Sequence, residues 1–144
     1  MRFFESAADI AAPPAAVWSV LADGAAWSGW DSGVDRLDGE IGPGQAITIR
    51  SKVAPGRAFP VKVTTFDAPR ELVFSGGMPL GLFTGTRTYR LVPTATGTRF
   101  TMREEYSGPL VSMMWRSMPD LAPSFQQFAD GLKRQAELGA AVPA

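Results

Sequence analysis

The chain has 144 residues, 45% of them hydrophobic and 19% charged, a size and mix that suit one globular domain with a sizeable core. Its 14 Lys and Arg balance 14 Asp and Glu, so the charge offers no footprint for nucleic acid or for an anionic lipid surface. There is no Cys and no His, which excludes disulfides, thiolate and imidazole metal sites, a Cys nucleophile and a Ser-His triad.

The opening "MRFFESAADI" lacks the apolar run of a signal peptide, and no stretch approaches the ~20 apolar residues of a membrane span. The expectation is a cytoplasmic protein without stable membrane insertion. "RFFESAADI" alternates as a strand, with Phe4, Ser6, Ala8 and Ile10 on one face, until "APP" ends it. Pro13 or Pro14 suits the first turn of a helix over "AAVWSVLAD", where Val17, Trp18 and Leu21 share a face before Gly24. "AAWSGWDSG" is a second short helix or turn carrying Trp27 and Trp30.

From Val34 the periodicity changes to that of strands. "VDRLDGE" runs into a "GPG" turn, and "QAITIRSKV" then sets Ile47, Ile49 and Val53 on one side. "AFPVKVTTFD" sets Phe59, Val61 and Val63 on one face, and "APRELVFSG" places Leu72 and Phe74 together. "TGTRTYRLVP" and "GTRFTMREEYSG" complete an antiparallel meander, which Gly108 and Pro109 end. Two helical pieces follow, "LVSMMWRSM" and "DLAPSFQQFADGLKRQAEL", broken at Pro119. Asp120 is placed to cap the second, in which Leu121, Phe125, Phe128, Leu132 and Ala136 form one apolar stripe.

This order of segments, "APPAAVWSVLADGAAWSGW", "GPGQAITI", "ELVFSGG", "GTRTYRLVP", "GTRFTMREEYSG" and "FADGLKRQAE", resembles the START/polyketide-cyclase (SRPBCC) superfamily over nearly the whole chain. The resemblance implies an α+β helix-grip fold across residues 1–144 as one domain. A curved seven-stranded antiparallel sheet would wrap the long C-terminal helix around a deep apolar cavity, with two short helices between the first two strands. A strand meander apolar on alternate positions needs such a helix on physical grounds too, because it must bury one face.

If the loop 94–97 closes a hairpin in which facing residues sum to 191, then Leu91 opposes Phe100, Tyr89 opposes Met102 and Arg87 opposes Glu104. All six then face the helix, with Tyr106 one step beyond. Arg87, Glu104, Tyr89 and Tyr106 are therefore candidates to orient a polar group of a guest in an apolar pocket. The alternative is a structural ion pair tying the last two strands together. An adjacent arginine also opposes the desolvation that a glutamate base requires.

Met78 and Leu82 in the loop "GGMPLGLFTG", Met102 on the inward strand face, and Met114 and Met118 beside Met113 suggest an adaptable cavity mouth, although methionines fill ordinary cores as well. Phe74, Phe125, Phe128 and Trp30 complete the candidate lining. Trp115 turns aside from the methionine face, toward an intersubunit surface or the underside of the N-terminal helix. Asp31, Asp35, Asp38 and Glu40 lack the spacing of a calcium loop and read as a solvated face; no metal or cofactor is called for.

The leading functional expectation is a binder of a small hydrophobic molecule such as a lipid, polyketide, isoprenoid or aromatic metabolite. A cyclase or dehydratase acting on such a guest is the second. It departs from relatives that carry a histidine near Thr86 or Arg87, since this chain has none. A protein-docking or co-chaperone-like module, using the apolar loop from Met78 to Phe83, is the third. A homodimer is compatible with each.

Overall fold

The computed structural model describes residues 2–141. The elements run β1 (Arg2–Ile10), α1 (Pro14–Leu21), a 3-10 segment (Gly24–Gly29), β2 (Val34–Asp38), β3 (Ala46–Ser51), β4 (Phe59–Asp67) and β5 (Glu71–Gly77). After a 3-10 turn (Pro79–Gly81) come β6 (Thr84–Thr94), β7 (Gly97–Ser107), α2 (Val111–Ser117) and α3 (Ala122–Ala141). One seven-stranded sheet has the order β1-β7-β6-β5-β4-β3-β2. Every pairing in it is antiparallel. This is the expected helix-grip arrangement. The chain crosses from one sheet edge to the other through α1 and the 3-10 segment, and α3 returns across the inner face.

Alternation sets the inner face. Ser6, Ala8 and Ile10 of β1, Tyr89 and Leu91 of β6, and Phe100, Met102 and Tyr106 of β7 are buried. They meet Phe125, Phe128, Ala129, Leu132 and Ala136 of α3. Burying each large apolar side chain contributes ~1.5–3 kcal/mol, so this seam dominates the stability of the fold.

Polar contacts fix how α3 lies. β1 is an edge strand, and its outward backbone groups need cover. Gln126 donates to the Ala7 carbonyl at 3.4 Å, Lys133 donates to the Asp9 carbonyl at 2.8 Å, and the Ala11 N–H donates to Glu137 at 2.8 Å. The Ser6 hydroxyl donates to the Phe125 carbonyl at 3.0 Å. The Ala11 N–H, and after it Lys133, holds the Glu137 carboxyl below its ordinary pKa. Asp120 caps the helix by accepting from the Ala122 N–H at 3.0 Å.

Asp31 is not a free member of an acidic surface. Gln127 donates to it at 2.7 Å and Arg134 at 2.8 Å, which clamps the loop before β2 onto α3. Gly131 makes that approach possible, because a Cβ there would overlap the Asp31 carbonyl oxygen. Gly131→Ala is therefore expected to force the loop off the helix and cost ~1–3 kcal/mol, an overpacking penalty. A thermal melt checks this, and an unchanged Tm would show that the loop is not seated by that contact.

Two expectations about strands are corrected. Val53 lies beyond the end of β3 in the turn that precedes β4, and is exposed. In β4 an irregularity between Val63 and Thr65 shifts the register against β5. Past it the inward parity flips, so Phe66 packs edge-on to Trp18 with centroids 5.2 Å apart. Phe59, at the other end of β4, is largely exposed.

Candidate ligand-binding site

The β6–β7 hairpin has the expected register, with Arg87 opposite Glu104, Tyr89 opposite Met102 and Leu91 opposite Phe100. Arg87 Nη2 donates to Glu104 Oε2 at 3.3 Å, and the Tyr106 hydroxyl donates to the same oxygen. The guanidinium also stands 4.8 Å from the centroid of the Phe125 ring. The Arg87 and Glu104 side chains keep 22% and 16% of their surface exposed, so the pair lies at a wet margin of an apolar face.

Burial disfavours the Arg87 charge, but Glu104, with smaller contributions from Tyr89 and Tyr106, outweighs it and holds the guanidinium pKa above its ordinary value. Burial also raises the pKa of both tyrosines, against the opposing pull of Arg87. Both phenols therefore remain protonated at neutral pH and able to donate.

Three buried side-chain polar atoms among the described residues make no well-formed hydrogen bond: Trp30 Nε1, and Tyr89 Oη and Arg87 Nε, whose side chains nevertheless interact with each other. Such groups cost free energy when left unpaired, so their presence in an otherwise satisfied core points to a use. The Tyr89 and Trp30 rings both border Phe128, at centroid distances of 5.5 and 5.2 Å.

The interior beside this polar end is filled by rings, although the resemblance implies a deep cavity there. Trp27 stands 5.0 Å from Phe128 and 6.2 Å from Tyr89, Phe74 stands 5.4 Å from Tyr89, and Phe100 stands 6.2 Å from Tyr89. Phe74, Met102, Phe125 and Phe128 of the expected lining are buried core residues, and Trp30 is partly buried against them. Two open hollows lie elsewhere. One of about 390 Å³ runs along Ala11–Pro14 and Pro93–Gly97, and one of about 290 Å³ lies on the outer sheet face between Glu5, Arg90 and Arg103.

The expected mouth is only partly assembled. Phe83 stacks on Tyr106 at 5.7 Å, and Leu82 is half-buried, its carbonyl accepting from the Leu110 N–H at the start of α2. Met114 and Met118 are half-buried, whereas Met78 is exposed, Met113 is 60% exposed and Leu80 is 97% exposed. Leu80 also has φ of 61°, a left-handed conformation that a leucine rarely adopts. Trp115 is half-buried and packs against β1 rather than under the N-terminal helix. It stacks on Phe4 of β1 at 5.0 Å and lies 5.8 Å from Tyr106.

Sequence reasoning missed the contribution of Gly85. It pairs with Tyr106 in the hairpin, and a Cβ there would meet Glu104 Oε1 at 3.5 Å. A side chain there would lie against that oxygen and the Tyr106 ring. A glycine inside a strand of otherwise β-favouring residues was the available signal.

Comparison with known proteins agrees with this fold. Among solved structures, protein MLL2253 from Mesorhizobium loti superposes with a TM-score of 0.74 at 17% identity, covering 99% of this chain and 100% of that one. The Zhui aromatase/cyclase from Streptomyces sp. R1128 does so with a TM-score of 0.72 at 16% identity, over 94% of this chain and 93% of that one. DynU16, a putative protein in the dynemicin biosynthetic locus, gives 0.70 at 19% identity, over 96% of this chain and 48% of that one. At these identities the likeness shows the fold alone. No curated protein matches the chain. The family model described as "Polyketide cyclase / dehydrase and lipid transport" matches residues 1–137, and the chain belongs to that family.

Proposed function

We propose that the chain acts as one unit that binds a small hydrophobic molecule between the sheet and α3, with the polar end formed by Arg87, Tyr89, Glu104 and Tyr106 orienting it. One observation carries the reading: a polar cluster of Arg87, Tyr89, Glu104 and Tyr106 buried at the margin of an apolar, ring-lined wall, in which Tyr89 Oη and Arg87 Nε lie close to each other without a well-formed hydrogen bond. A structural ion pair alone accounts for the Arg87 and Glu104 contact, but not for a second tyrosine hydroxyl buried beside the Arg87 side chain without a well-formed hydrogen bond. The family supports the ligand class at the level of polyketides and lipids. Glu104 supports a catalytic role less well, since Arg87 and Tyr106 both engage one of its oxygens. The balanced charge favours a neutral guest over nucleic acid, and no helix among the described residues is long and apolar enough to cross a membrane. We place the protein in the cytoplasm on the same composition.

Native mass spectrometry of the purified protein, followed by denaturing extraction, tests the reading. The expected result is a hydrophobic molecule near one per chain. A bare mass, combined with no uptake of added aromatic or acyl probes, would sink it.

A further inference from the structure

The open sheet ends in two edge strands, β1 and β2, whose outward backbone groups must find partners or water. The β2 edge is guarded. The strand has five residues, its register against β3 breaks between Val34 and Arg36, and Asp35, Arg36 and Asp38 charge it. The β1 edge is guarded over only part of its length. Ala7 and Asp9 turn their carbonyls, and Ala11 its N–H, away from β7 toward Gln126, Lys133 and Glu137 of α3. Alternation along the strand then turns the backbone N–H and C=O of Phe3 and Glu5 outward as well. The side chains of α3 stop at Ala7, and no bond among the described residues reaches the outward groups of Phe3 and Glu5.

The open stretch Arg2–Ser6 carries none of the features that keep an edge unpaired. Its register against β7 is unbroken, and "RFFES" holds no Pro or Gly. Both of its faces are aromatic. Phe3 is 42% exposed on the outer face, and on the inner face half-buried Phe4 lies under Trp115 of α2 with centroids 5.0 Å apart. An occupant of this edge therefore needs an extended backbone of similar length and apolar side chains on both faces, which a second Arg2–Ser6 supplies.

We infer that Arg2–Ser6 pairs with the same stretch of a second copy of the chain, antiparallel about a two-fold axis at Phe4, so that one sheet runs through both subunits. In this register Phe3 faces Glu5 of the partner subunit and exchanges both backbone bonds with it, Arg2 faces Ser6 of the partner subunit, and the two Phe4 rings meet on the inner face. No like charges stand opposite each other. Centred on Glu5 instead, the pairing would set two carboxylates face to face and run the partner strand under Gln126. Centred on Phe3, it would leave Glu5 with no described residue opposite. Charge favours the second copy too. Arg103 lies over the Phe3 ring at 3.7 Å and donates through Nη1 to Glu5 at 3.1 Å and through Nε to Glu105 at 2.9 Å. Its Nη2 is left for the second Glu5 carboxylate, which the two-fold axis brings beside Phe3.

Sedimentation equilibrium of the wild-type chain from about 1 µM to about 1 mM tests the pairing, and is expected to show a monomer–dimer equilibrium, weak because a strand edge buries less than a standard interface. Glu5→Pro removes an outward N–H and the carboxylate that faces the partner, while every bond from β1 to β7 remains, and should raise the dimer Kd at least about tenfold. The chain has no cysteine, so one placed on the axis reports the register. Phe4→Cys sets two thiols opposite each other in a non-hydrogen-bonded pair, where Cα atoms about 4.5 Å apart suit a disulfide. Mild oxidation is expected to link Phe4→Cys into dimers and to leave Asp9→Cys, on the part of the edge that α3 covers, as monomers. A wild type that stays monomeric across the range, its edge left to an extended segment of some other protein, overturns the inference. A dimer that Glu5→Pro leaves unchanged, or equal linking of the two cysteine variants, does so as well, because the copies would then meet elsewhere.

Discussion

Arg87→Met is expected to destabilise the protein by ~2–4 kcal/mol, the cost of leaving a mostly buried carboxylate without its cation. Glu104 is 16% exposed and would keep only the Tyr106 hydroxyl as a partner. Methionine preserves much of the apolar stem and removes the guanidinium that stands over Phe125, so the loss reports the charged group rather than the stem's volume. One further measurement separates this account from simple repacking. The double variant Arg87→Met/Glu104→Met should recover most of the stability, since a well-packed apolar pair replaces an ion pair at little net cost. Urea denaturation reads both quantities. A single-variant loss below ~0.5 kcal/mol would place the pair among surface salt bridges of negligible weight.

That experiment bears on what was legible in the sequence. The pairing of Arg87 with Glu104 followed from local information alone, because a tight turn at 94–97 fixes the register of the two longest strands for their whole length. The stripe on α3 and the alternation of β1 were legible for the same reason: period and turn chemistry act over a few residues. The contacts that escaped are those that join distant segments without a period. Asp31 read as part of a solvated acidic cluster, yet it is held by Gln127 and Arg134, which lie 96 and 103 residues away. Trp115 could not be set against Phe4 until the sheet order put β1 beside β7. The irregularity in β4 adds one residue to an unbroken run of strand formers, so nothing in "VKVTTFD" announces that Phe66 rather than Thr65 turns inward. Whether the grip encloses space depends on side-chain rotamers, and here the large rings turn into the interior rather than around it.

Phe128 is the residue that decides how full that interior is, and Phe128→Ala is expected to cost ~3–5 kcal/mol. Its ring touches the rings of Trp27, Trp30, Tyr89 and Phe100, with centroids between 5.0 and 6.3 Å away. Those neighbours belong to two different parts of the fold, the 3-10 segment with its following loop and the sheet, so no single movement closes the gap. The truncation should therefore leave an apolar hollow about the size of one aromatic ring, which stays dry and accepts benzene. Benzene would then raise the Tm of the variant in proportion to its saturation while leaving the wild type unmoved. The same hollow should let ethylnaphthalene bind the variant more tightly than the wild type, which has to shift the Phe128 ring to admit a guest. A loss below ~1.5 kcal/mol with no response to benzene would mean that the surrounding rings collapse inward. The space for a guest would then have to be sought nearer the half-exposed end at Arg87 and Glu104, under Phe83 and α2, rather than behind Phe128.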